Sequence, residues 1–145
     1  MCLRGASALQ RVIEEYPSDD LSILVVWEPV LPTDIAPPTT ATLGLVHDPR
    51  AVQYWDAGRA LSADIVRSMM ASPERYGVEE QELSPDTIVW DAVAVFPAGD
   101  RWERDLPVPA FMDFPVVEAA DGLRASLAEQ VRKGSDPVSA PVVAP

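Results

Sequence analysis

A single cysteine, Cys2, is all the thiol chemistry that this chain of 145 residues offers. One sulfur excludes any internal disulfide and any zinc site built from several cysteines. Basic residues are also scarce, with 11 Lys and Arg against 23 Asp and Glu, for a net charge of −12. A nucleic-acid backbone or an anionic membrane surface would be repelled at long range, so neither is expected as a partner. No apolar stretch approaches the roughly 18 residues that a transmembrane helix needs. The opening MCLRGASALQ lacks the basic start and apolar core of a signal peptide, which leaves a reducing, cytoplasmic compartment as the default expectation. No internal repeat is present. Proline, in contrast, is plentiful: 15 residues, falling mainly between the periodic segments and marking firm stops. With 48% hydrophobic residues the chain is long enough for one core. A single domain is expected over 1–132, followed by a disordered Pro/Ala-rich tail over 133–145.

The strongest structural signal is LSILVVWEPV, residues 21–30. Ile23 to Trp27 form an unbroken apolar run rich in β-branched and aromatic residues, as in a central strand covered on both faces. Pro29 ends it, and Trp27 and Glu28 leave its carboxyl end, the edge where open α/β sheets usually hold ligands. Before it, Leu9, Val12, Ile13 and Tyr16 recur at helical spacing over Ser7 to Tyr16. After it, Thr39 and Thr40 cap a short helical turn with Leu43 and Val46. Asp48 then Pro49 read as an N-cap and first helical residue, opening a crossover helix with Val52 and Trp55. A break near Gly58 to Ser62 follows, with Ser62 and Asp64 as a fresh cap before Ile65 and Met69, and Pro73 closes the region.

Residues 71–85 read as an acidic surface loop. Thr87 to Phe96 is a second long β run, and the turn Pro97 to Asp100 makes Arg101 to Glu103 its hairpin partner. The proline-bearing LPVPAFMDFP reads as irregular, with Val116 and Val117 adding a last strand residue or two. Asp121 caps a final helix carrying Leu123, Leu127 and Val131, and Gly134 suits its left-handed end.

Helix, buried strand, helical crossover, strand, hairpin strand and helix follow the thioredoxin-like order without its opening strand. CLRGASALQRVIEEY followed by SILVVW resembles that family's cysteine-helix junction and next strand, and VAVFPAGDRW resembles its later glycine turn. The resemblance implies a three-layer α/β/α fold with a mixed central sheet lacking the first strand, descended from a thiol-disulfide oxidoreductase. It places Cys2 as the second, resolving cysteine of a Cys-x-x-Cys pair whose first member would lie upstream of Met1. It sets Trp90 where the family carries a cis-proline. A dithiol cycle needs two sulfurs, one to attack and one to release the mixed disulfide, so this chain alone is expected to be redox-inactive. The alternative is a non-enzymatic protein-binding module of the same fold.

Cys2 at a helix start is the candidate catalytic residue, since the helix dipole favours a thiolate there. A substrate groove is expected beside Trp27, Glu28, Trp90 and Asp91, where two acids brought together would repel and one carboxyl would be raised. The competing reading turns one residue of each Trp-acid pair into the core and the other into a helix-covered face or toward a cap, with a buried Asp91 structural. His47 with Asp48, Asp34 and Glu28 has the donor types for a divalent cation but no ligand spacing, so no metal and no cofactor are expected. The expected partner is a protein thiol or disulfide, or another protein surface. Loss of the opening strand would leave backbone groups along LSILVVW open to self-association.

Overall fold

The computed structural model describes residues 3–78 and 83–134. The fold is mixed α/β. In chain order it runs α1 (Leu3–Glu14), β1 (Ile23–Trp27), α2 (Thr40–Leu43), β2 (Ala51–Trp55), α3 (Ala60–Ala71), α4 (Pro73–Tyr76), β3 (Val93–Val95), β4 (Phe111–Asp113) and α5 (Val116–Gly134). Among the described residues the strands form two separate pairs, β1 with β2 in parallel and β3 with β4 antiparallel. The single mixed central sheet expected from the sequence is therefore replaced by two half-sheets.

α1 is the element they share. Its Val12 joins Val95, Leu123 and Leu127 in one buried cluster, and its Ile13 joins Ile23 and Val46 in another. Leu9 and Leu21 pack against both. This is the apolar stripe read from the sequence, but the helix begins at Leu3 and ends at Glu14, earlier at both ends than Ser7 to Tyr16. α5 packs along α1 and on both strands of the hairpin. Tyr16 Oη donates to the Arg124 carbonyl at 2.7 Å, and Arg124 pairs with Glu15 and Asp121, tying the two helices at their polar margin.

β1 occupies the five residues expected, yet it is not covered on both faces. Ile23 and Trp27 are buried, whereas Leu24 is 64% exposed. The partner strand is the larger surprise, because 51–55 reads as helix. Asp48 does not cap a helix: its carboxylate accepts from Arg50 N, two residues on, and from the Arg50 guanidinium. That is a turn-forming use of aspartate. Freed from the helix, AVQYW alternates as a strand, with Val52 and Tyr54 outward and Gln53 inward. Gln53 Oε1 accepts from the Trp27 indole at 2.9 Å, while Nε2 donates to the carbonyls of Leu43 and Val46. Arg50 continues into α1, donating to the carbonyls of Ile13, Tyr16 and Ser18. Each of these carbonyls also accepts a backbone N–H, from Tyr16, Ser18 or Leu21, so the guanidinium takes up their second acceptor sites.

α2 is capped by Thr39 as expected, its hydroxyl accepting from Thr42 N at 3.2 Å. α3 starts before Ser62, which sits inside the first turn rather than capping it. Pro73 opens α4 rather than only closing what precedes it, and Gly77 follows in the left-handed region at φ 67. The hairpin partner is Phe111–Asp113, not Arg101 to Glu103. Prolines at 107, 109 and 115 bracket it and confine it to three residues. The connection between β3 and β4 is anchored by buried Leu106, whose N–H donates to Ser68 Oγ and whose carbonyl accepts from Tyr76 Oη. Val116 and Val117 begin α5 instead of a strand, Asp121 lies within that helix, and the Phe114–Pro115 bond is cis. α5 runs to Gly134, past the boundary expected at 132, and the tail from 135 onward lies outside the described residues.

Candidate functional site

The carboxyl end of β1 meets the start of α3, and the segment from Val89 to Asp91 carries on from there to the starts of α1 and α5. α3 opens after Arg59 in the left-handed region, with no capping side chain of its own. Two carboxylates from earlier in the chain supply the acceptors. Asp56 takes the N–H groups of Gly58 and Leu61, at 3.2 and 2.8 Å, and Glu28 Oε1 takes Ser62 N at 3.0 Å. Negative charge at this end also suits the helix dipole. Glu28 Oε2 accepts from Ser62 Oγ as well. That hydroxyl has one proton to give; donated to the carboxylate, it leaves the oxygen to accept from Val89 N at 3.2 Å. Ser62 thus joins the end of β1 to the residue that precedes Trp90.

Asp91 sits just beyond, in the left-handed region at φ 52, with its carbonyl accepting from Val116 N at the start of α5. Its side chain lies against the first turn of α1. A Cβ on Gly5 would fall 2.1 Å from Asp91 Oδ1, so only glycine admits that approach. Trp90, in contrast, points outward and is 58% exposed, and Phe114, two residues before Val116, is 71% exposed. Leu3, Arg4, Ser7 and Arg11 of α1 and Val117 of α5 line a shallow cleft of about 290 Å³ between the two helix starts. Arg4 and Arg11 make no ion pair with any described residue. On a chain with a large acidic excess, two unpaired guanidiniums beside exposed apolar side chains form a local basic and apolar patch.

The sites named from sequence are thus partly gathered. Glu28, Trp90 and Asp91 meet at this end, linked through Ser62 and Gly5. Trp27 does not line a groove: it is buried, with its indole N–H spent on Gln53. Glu28 serves α3, so a repelling carboxylate pair is not what the structure presents. Cys2 lies outside the described residues, which begin with Leu3, the first residue of α1. His47 stands apart from these groups; its N–H donates to Gln10 Oε1 at 2.9 Å, and its ring faces Glu14 at 3.6 Å. Asp34 accepts from Val30 N and Leu31 N, and the Leu31 bond first of all holds its carboxyl below the ordinary range. Among the described residues no group of three or more His, Cys, Asp or Glu is placed to hold a metal ion. Nor, among them, is any helix long and apolar enough to cross a membrane.

Gly5, Arg4 and Arg11 were not singled out from sequence, and Ser62 was read only as a helix cap. A small polar residue on the inner face of an otherwise apolar helix is the one signal that could have marked Ser62. Comparison with known proteins finds no matching family model, no matching curated protein and no matching solved structure.

Proposed function

We propose that this chain is a non-enzymatic protein-binding module of thioredoxin-like layout, which engages its partner through the surface where α1 and α5 begin. The observation that carries this reading is the cleft where exposed Leu3 and Val117 stand with Arg4 and Arg11, which pair with no described residue, together with exposed Trp90 and Phe114 on the segments that lead to the starts of α1 and α5. Exposed Trp and Arg are the side chains that most often dominate binding energy, and two free guanidiniums fit a partner segment that is acidic around an apolar anchor. The layout is supported by the succession of α1–β1, the antiparallel pair β3–β4 and α5, with β2 outside the family order. The test is binding of partner proteins to the immobilised chain, compared with Trp90→Ala and with Arg4→Glu combined with Arg11→Glu. A partner held by the native chain and lost from both variants supports the reading. Equal retention by all three removes it.

Redox descent is a second reading, favoured by one observation: Asp91 packs against the first turn of the very helix that Cys2 precedes. On this reading Cys2 would resolve a mixed disulfide only if another chain or segment supplied the attacking sulfur. Insulin reduction by the chain alone should show no turnover, and turnover would count against the non-enzymatic reading.

A further inference from the structure

We infer that the free edge of β1 is a docking slot for one extended segment of another protein, apolar on both faces and neutral to basic overall. The bonds that join β1 to β2 fix which of its backbone groups are left over. Ile23 N donates to the Arg50 carbonyl and Asp56 N donates to the Trp27 carbonyl. In a parallel ladder, alternate residues turn both their N–H and C=O to the same side. Ile23, Val25 and Trp27 therefore face β2, and the N–H and C=O groups of Leu24 and Val26 face the other way. No described residue bonds to them.

The hairpin lies on that open side. Leu21, which leads into β1, packs against the hairpin cluster of Val95, Leu123 and Leu127, while no residue of β2 does. α1 underlies both half-sheets through Leu9, and a helix about 10 Å across covers roughly two strand spacings of 4.8 Å. β1 and β3 are nevertheless not hydrogen-bonded to each other, and each is bonded on one side only. A single strand laid there would meet unpaired backbone along β1.

Open edges are normally guarded by charge, proline or a bulge. Ser22 to Trp27 carries none of these. On the face away from α1, Leu24, Val52 and Tyr54 are all more than half exposed, so the incoming side chains beside them are apolar. On the other face they would rest near Leu9 and Leu21, which again selects apolar residues.

Charge decides the source. A net charge of −12 repels a second copy of this chain and attracts a segment with basic flanks. The slot is separate from the Trp90 surface and stands whether or not that surface binds anything.

The experiment is residue-resolved amide exchange on the full chain, with and without a synthetic peptide that repeats Leu21–Trp27 between flanking lysines. In the free chain Leu24 and Val26 amides exchange fast while Ile23 and Val25 are slow. Excess peptide slows Leu24 and Val26 by at least about tenfold. The same peptide N-methylated on alternate amides, so that the edge facing β1 cannot donate, leaves them fast. Val26→Pro removes an amide that has no partner in the free chain, so the fold survives and peptide protection is lost. The inference is overturned if the native peptide protects neither amide or if the N-methylated peptide protects equally. It is also overturned if raising the chain concentration alone protects both amides as dimer forms, which would make a second copy the occupant.

Discussion

The two strand pairs are served unequally by the helices. β3–β4 lies under both α1 and α5, and its buried cluster draws on strand and helix alike. β1–β2 has α1 and the Val46 turn on one face only, so Leu24, Val52 and Tyr54 stay in solvent. Parallel strands are usually covered on both sides, since their connections lay helices over both faces. Here the connection from β1 to β2 contains only the single-turn α2, too short to roof the second face. The half-sheet that is longer and richer in β-branched residues is thus the one left open. Burial follows from what each connection brings back, not from the hydrophobicity of the strand.

The widest predicted gap is between Leu123 and Leu24. Leu123→Ala opens a void in the helix-covered cluster and should cost about 3 kcal/mol, whereas Leu24→Ala should cost less than about 0.5 kcal/mol. Urea unfolding of both variants checks this, and a Leu24→Ala loss as large as that of Leu123→Ala would break the contrast between the halves. Next comes Arg50, which joins the open half to α1 through three carbonyls and Asp48. Arg50→Ala should lose about 2 kcal/mol, because the carbonyls lose a charged donor and a largely shielded carboxylate loses its partner. A loss confined to the range of an ordinary surface arginine would show that the two halves are held by apolar contacts alone.

The smallest effect is in acid. The Arg50 guanidinium beside Asp48 holds that carboxyl down at about 2, below its ordinary value. The unfolded chain therefore takes up the proton first as pH falls. The pair's stabilisation is complete above about pH 4 and is lost as pH drops from there through about 2. Glu15 beside Arg124 and Glu129 beside Lys133 are shifted the same way, so the helix-covered half also weakens in acid. Asp48→Asn should flatten only the part due to the open half, giving a shallower fall in thermal midpoint between those pH values than the native chain shows. An unchanged slope would mean that Asp48 and Arg50 do not form their pair in solution.

How much of this could be read beforehand depended on whether a signal was local. β1 was legible because five apolar residues in a row admit few alternatives, and α1 because its stripe repeats four times. β2 was not, since Asp48 and Pro49 carry the same letters whether the aspartate caps a helix or turns back onto Arg50. β4 was hidden by its prolines, which a three-residue strand tolerates at its margins. At the candidate site the Trp90-Asp91 pair was legible as an oddity in a β run, and the structure accounts for it through the left-handed backbone of Asp91 against Gly5. Trp27 was misassigned because strand alternation leaves open which face meets the helix.

The sequence by itself settled the α/β class, the acidic surface and the single thiol, because composition and short-range periodicity act on each segment in isolation. Only tertiary structure decided that β1 would find β2 rather than a central sheet, that Glu28 would serve α3, and that Leu24 and Val26 would keep an open edge. Those outcomes rest on hydrogen bonds between residues tens of positions apart, whose geometry no local pattern encodes.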